Sequence, residues 1–94
     1  MKSQQIIEYI ANQRECTAAD ILGYARTQHI ADGRAIAQYV LREQGWTWQR
    51  IADLFNCHHS AVIHNWKKVE QINNLKIKAK NIIDNIAKLT KMNL

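Results

Sequence analysis

The residues best equipped to act on another molecule cluster in the run Cys57-His58-His59-Ser60-Ala61-Val62-Ile63-His64-Asn65-Trp66-Lys67-Lys68. Imidazole and hydroxyl groups both donate and accept hydrogen bonds, and ammonium groups only donate. Zinc binding is one chemistry for Cys57, His58, His59 and His64. However, Cys57 and His58 are adjacent, His59 and His64 are five apart, and no second cysteine pair lies nearby, so the tetrahedral set is poor and no metal is expected. A Cys–His nucleophilic pair finds no orienting acid and no oxyanion site, so no catalytic residue is expected either. Reading the edges of base pairs suits the run better. That chemistry needs short polar side chains near the N-terminus of a helix whose back is firmly buried. His58, His59, Ser60 and Ala61 meet the first need. Val62, Trp66 and Val69, at i, i+4 and i+7, meet the second. Ser60, His64, Lys67 and Gln71 repeat on the opposite side. Lys67 and Lys68 come a turn later, where a helix leaving the groove passes a phosphate strand, and the helix N-terminus adds partial positive charge.

Such a helix must be held by others. With no proline and glycine only at Gly23, Gly33 and Gly45, the chain favours helices. The spacing of Ile6, Ile7 and Ile10 predicts a helix over about Ser3 to Asn12. Thr17-Ala18-Ala19-Asp20 is a cap followed by an acid, opening a short helix through Ile21 and Leu22 that ends near Gly23. Arg26 to Asp32 is expected as a connector. A third helix over about Gly33 to Gln44 buries Ile36, Tyr39 and Val40, and Gly45 is placed to stop it. Thr47 caps a fourth over about Trp48 to Phe55, with Trp48, Ile51, Ala52 and Phe55 inward. Asn56 and Cys57 form a tight turn into the fifth helix, about His58 to Ile72. Asn73-Asn74 breaks the pattern. The last helix, Leu75 to about Met92, carries Ile82, Ile83, Ile86 and Leu89 on one side and Lys76, Lys80, Lys88 and Lys91 on the other. The expectation is an all-α, six-helix single domain over residues 1–94, containing a helix-turn-helix.

Composition bounds the function. The 94 residues suit one domain, and 13 Lys plus Arg against 8 Asp plus Glu give a net charge of +5, which suits a polyanionic partner. Cys16 and Cys57 are expected to be reduced thiols in a cytosolic setting. No stretch approaches the roughly 20 apolar residues of a membrane span, and the start lacks a signal-peptide run. Trp46, Trp48 and Trp66 could stack on bases. Core spacing favours a structural use for Trp48 and Trp66, and Trp46 is expected as a staple or partly exposed. The lysines of the last helix are expected to be solvated.

The stretch Phe55-Asn56-Cys57-His58-His59-Ser60-Ala61-Val62-Ile63-His64 resembles the signature of the C-terminal DNA-binding domain of the bacterial chromosomal replication initiator DnaA. That signature is a phenylalanine, a short turn, then Arg-Asp-His-Ser/Thr-Thr-Val-aliphatic-His. The run from Arg34 to Glu43 is similar to that family's arginine-led helix ending in Arg/Lys-Glu. Thr47-Trp48-Gln49-Arg50-Ile51-Ala52 falls on its Ser-Leu-x-x-Ile-Gly, Lys68 to Ile72 also fits, and Ile6 to Leu22 is similar to the two preceding helices. The resemblance implies a fold of the Trp-repressor and DnaA C-terminal type. It implies that Arg34 enters the minor groove and that His58, His59, Ser60 and Ala61 face bases in the major groove. Arg42, Arg50, Lys67 and Lys68 are expected at phosphates, which need only positive charge at the right distance.

Three departures bear on specificity: Cys57 for Arg, His58 for Asp and Ala61 for Thr. An Asp accepts a hydrogen bond from cytosine, whereas a His can also donate, so an altered site is expected. The sequence contains no Gly-x-x-x-x-Gly-Lys-Ser/Thr loop, so no ATP hydrolysis by that route and no cofactor are expected. The expected partner is double-stranded DNA, bound by a monomer of cytoplasmic, nucleoid-associated location, with replication or transcription proteins as further partners. Competing expectations are a protein–protein module using the apolar side of the last helix, and charge-driven binding of RNA or single strands.

Overall fold

The computed structural model describes residues 2–24 and 26–92; the side chains of residues 90–92, the expected outer lysine Lys91 among them, fall outside that description. Among the described residues there are six helices and no strand: α1 (Ser3–Gln13), α2 (Ala18–Leu22), α3 (Gln28–Glu43), α4 (Trp48–Phe55), α5 (His59–Gln71) and α6 (Asn73–Met92). The all-α architecture is the expected one.

Local chemistry sets the starts and stops. Thr17 Oγ1 accepts from the Asp20 amide at 3.1 Å, and the Asp20 carboxylate accepts from the Thr17 amide at 3.1 Å, closing a capping box on α2. Three helices end in one way. Glu15, Gly45 and Asn56 take φ of 55°, 97° and 52°. The next residue then sends its amide back: Cys16 to Ala11 O at 2.9 Å, Trp46 to Leu41 O at 3.2 Å and Cys57 to Ala52 O at 3.0 Å. These six-to-one bonds satisfy carbonyls that the helix ends leave open.

Two boundaries differ from the sequence reading. The segment expected as a connector from Arg26 to Asp32 is helical from Gln28, with Thr27 as the extended cap. The Gln28 side chain donates from Nε2 to the Asp32 carboxylate at 2.7 Å, supporting that first turn from within. Gly33 therefore lies inside α3 instead of opening it. A Cβ there would come 2.7 Å from Arg14 Cδ and 2.9 Å from Ile21 Cδ1, so close packing against α1 and α2 explains the glycine. The break expected at Asn73-Asn74 shrinks to one extended residue, Ile72, and α6 starts at Asn73.

α3 packs against each of the other five helices. Every residue from Ala35 to Leu41 is buried, far more than the expected stripe of Ile36, Tyr39 and Val40. Ile6, Ile7 and Ile10 of α1, Ile21 of α2, and Leu75, Ala79, Ile82 and Ile86 of α6 close around it. Ile82 and Ile86 thus pack on the core; Ile83 is half-buried and Leu89 is 39% exposed. That leaves no continuous apolar stripe of these four residues for a partner.

Polar pairs hold α3 to α5. Tyr39 donates its hydroxyl to the Glu70 carboxylate at 2.6 Å, and its ring stacks on Trp66 with centroids 5.7 Å apart. Asn65 donates to Gln38, a buried amide, at 2.8 Å. Lys76 of α6 pairs with Glu70 at 2.9 Å.

Two outcomes follow from this packing. Glu15→Gly relieves a left-handed non-glycine residue and is expected to stabilise the protein by about 1 kcal/mol, a rise in Tm of roughly 4 °C or more. Tyr39→Phe is expected to lower stability to chemical denaturation by about 1.5 kcal/mol, the scale of a hydrogen bond to a charged group. The Tyr39 hydroxyl, then Lys76, hold the Glu70 carboxyl below its ordinary value of 4.5. Its stabilising contribution is therefore present above that value and lost as pH falls through the lower folded value. Glu70→Gln should flatten the acid limb of a plot of stability against pH, leaving the neutral region at a lower plateau.

Candidate nucleic-acid interface

α4, the turn at Asn56–His58 and α5 form a helix-turn-helix. Asn56 in the left-handed conformation makes the turn tight. The back of α5 is anchored by Val62 and Val69, both fully buried, and by half-buried Trp66, which meets Trp48 edge-on at 6.0 Å. The expected outer face is solvent-exposed: Ser60, His64, Lys67 and Gln71.

His58 is the N-cap of α5. Its Nδ1 accepts from the Ser60 amide at 3.1 Å and lies 2.8 Å from Ser60 Oγ. An amide can only donate, so Nδ1 carries a lone pair and the Ser60 hydroxyl donates to it. The Ser60 oxygen is thereby oriented as an acceptor. The His59 ring leans on the His58 ring, centroids 4.2 Å apart, and makes no hydrogen bond among the described residues. His58, His59, Ser60 and Ala61 are all exposed at this helix end. His58 therefore has a structural task that the sequence reading did not assign to it, with Nε2 the nitrogen outside the cap.

The cations expected at phosphates fall into two groups. Arg42 and Arg50 lie near the start of α4, each over a tryptophan: Arg42 4.1 Å from the Trp48 ring centre and Arg50 3.8 Å from that of Trp46. Arg42 also donates to Trp46 O at 3.0 Å. Half-buried Trp46 thus supports a cation. Two turns along α5, Lys67 is exposed, while Lys68 pairs with Asp32 at 3.1 Å.

Arg34 is half-buried and donates to Ile21 O at 2.9 Å and Asp20 O at 3.2 Å, the carbonyls at the end of α2. Its charge also opposes the burial that pushes the Cys57 thiol up. The structure ties Arg34 of α3 to α2, with at least these two donor contacts in use.

Sequence reasoning missed three participants. Tyr24 donates its hydroxyl to Asn56 O at 3.0 Å and accepts from Asn56 Nδ2 at 3.3 Å, yet is 71% exposed. Asp32 and the Gln38–Asn65 pair were also unmarked. No periodic signal exposes them, because their partners lie 27 to 36 positions away in sequence, as the 32-residue separation of Tyr24 and Asn56 illustrates.

This arrangement, a tight turn into a helix with an exposed polar N-terminus and surrounding cations, defines a helix-turn-helix module of the DNA-binding class. Residues 3–69 match the family described as "Bacterial dnaA protein helix-turn-helix", and the chain belongs to that family. It is 36% identical over 69 residues to chromosomal replication initiator protein DnaA 2 of Protochlamydia amoebophila (strain UWE25), a match covering 72% of this chain and 15% of that protein. It is 30% identical over 90 residues to chromosomal replication initiator protein DnaA of Thermosipho africanus (strain TCF52B), covering 94% of this chain and 20% of that protein. The chain thus spans a small part of these relatives. Among the described residues no helix is long and apolar enough to cross a membrane.

The Lys68–Asp32 pair generates a prediction. Asp32→Asn should release the ammonium and tighten duplex binding severalfold, with the salt dependence steepened by about one phosphate contact. Anisotropy titrations at several salt concentrations measure both, and an unchanged slope would show that Lys68 meets no phosphate.

Proposed function

We propose that the chain is a sequence-specific reader of duplex DNA that lays the N-terminal half of α5 in the major groove. The observation that carries this reading is the exposed His59–Ser60 pair at the start of a helix whose opposite side, Val62 and Val69, is fully buried. A helix fixed in this way holds its register, which direct readout requires. The cap gives Ser60 a defined role. Its hydroxyl proton is committed to His58, so its oxygen accepts from an exocyclic amine of adenine or cytosine. His59 can donate or accept, and His58 Nε2 donates while the ring remains neutral. Ala61 leaves room and apolar contact for a thymine methyl. Arg42, Arg50 and Lys67 would meet phosphates on either side, with Lys68 joining if Asp32 yields. Arg34 would reach the minor groove only by giving up carbonyl bonds, so its position supports a role in holding α2 to α3 as well.

The two DnaA relatives are named as replication initiators, which supports a target akin to an initiator-binding site, occupied by a single copy without ATP hydrolysis by this segment. Such a reader would act wherever the chromosome lies. Because Cys57, His58 and Ala61 depart from the resembled motif, the preferred site differs from that family's usual one.

Selection from a random duplex library identifies the site. On it, His59→Ala and Ser60→Ala are each expected to cost about 1–3 kcal/mol, with little loss on unrelated duplexes. Equal weakening on every duplex, or indifference to strand type, would refute direct base reading.

A further inference from the structure

A groove with an apolar floor of Ile10, Ile36 and Ile82 and polar side chains around it lies between the end of α1, the start of α3 and α6, and no residue of α4 or α5 lines it. Gln13, Arg14, His29 and Lys78 line one end; it continues past Lys78 to Asn85, Lys88 and Asp84. Arg14 is only 9% exposed. Its Nη1 donates to His29 O at 2.8 Å, and His29 Nε2 donates in return to Arg14 O at 2.8 Å. With its proton on Nε2, the neutral ring turns a lone pair on Nδ1 toward Nη1, 3.4 Å away. The side chain is further confined by packing of its Cδ over Gly33.

The charge of this clamped group is unanswered. Among the described residues no carboxylate pairs with Arg14, and Nε and Nη2 have no protein acceptor. A guanidinium carries five N–H donors in a planar fork. Nε and Nη2 are not sealed from solvent, so they remain available to a bidentate oxyanion, which a planar guanidinium fork matches. Lys78 adds a second cation to the same end of the groove, whereas the acid, Asp84, lines only the other end. We infer that the Arg14–Lys78 end of this groove is an oxyanion-binding site for a phosphate or carboxylate group, separate from the α5 surface. It does not rest on the proposed base reading.

Isotope-labelled protein titrated with inorganic phosphate or sodium acetate, at ionic strength matched with potassium chloride, tests the site by NMR. Saturating shifts at residues 13, 14, 29 and 78 are expected, and the arm that saturates at lower concentration identifies the group bound. Arg14→Leu should weaken this binding about tenfold or more, the scale of a lost charge-assisted pair. Lys78→Gln, on an exposed side chain that leaves folding intact, should weaken it severalfold and stands in if the leucine variant does not fold. Shifts confined to the start of α5, shifts following ionic strength alone, or binding unchanged in both variants would overturn the assignment.

Discussion

A helix surrounded on all sides cannot move without disturbing everything that touches it, and α3 is in that position. The burial of Ala35 to Leu41 makes it the axis of the fold. Apolar contact gives this axis its stability, but apolar contact is non-directional. Register comes from the polar bonds crossing the α3–α5 seam: Tyr39 to Glu70, Asn65 to Gln38 and Lys68 to Asp32. Each has one good geometry, and together they fix α5 along and about its axis. The α5 surface inherits its rigidity from this seam.

Orientation at the other end of α5 comes from a different source. The turn preceding it is short because Asn56 accepts a left-handed backbone, which Asn tolerates better than most residues. Tyr24 reaches across from the end of α2 to brace Asn56, and Arg34 ties the same end of α2 to α3. The turn is therefore held from α2 and α3 as well as from its own helices. Cations over tryptophans at the start of α4 work in the same direction, since stacking a guanidinium on a ring restricts where its charge is presented.

At the exposed start of α5 one residue both caps the helix and orients its neighbour. In capping the helix, His58 settles which way the Ser60 hydroxyl points. A neutral imidazole does this and a doubly protonated one cannot, because Nδ1 must accept. Where the resembled motif has an aspartate, which only accepts, this chain has a ring that caps with one nitrogen and retains the other. The histidine at this position thus caps the helix and keeps a second nitrogen outside the cap.

Much of this was legible in the chain itself. The three-and-four spacing of Ile6, Ile7 and Ile10, of Ile51 and Phe55, and of Val62 and Val69 reflects burial of one helix face, and periodicity records burial directly. Thr17, Thr47, Gly45 and Asn56 marked ends because caps and left-handed stops depend on neighbours a few positions away. The run His58 to Ala61 stood out because those side chains are polar where the helix begins. What depends on distant neighbours was decided by the tertiary structure. Gly33 looked like a helix start and proved to be a close-packing position beside Arg14 and Ile21. Arg34 and Lys68 looked like available charges, and their actual partners, Ile21, Asp20 and Asp32, are 13 to 36 residues away. Local order is written in short-range spacing, whereas the partner of a long polar side chain is set by which helices meet, and that is known only once the chain has folded.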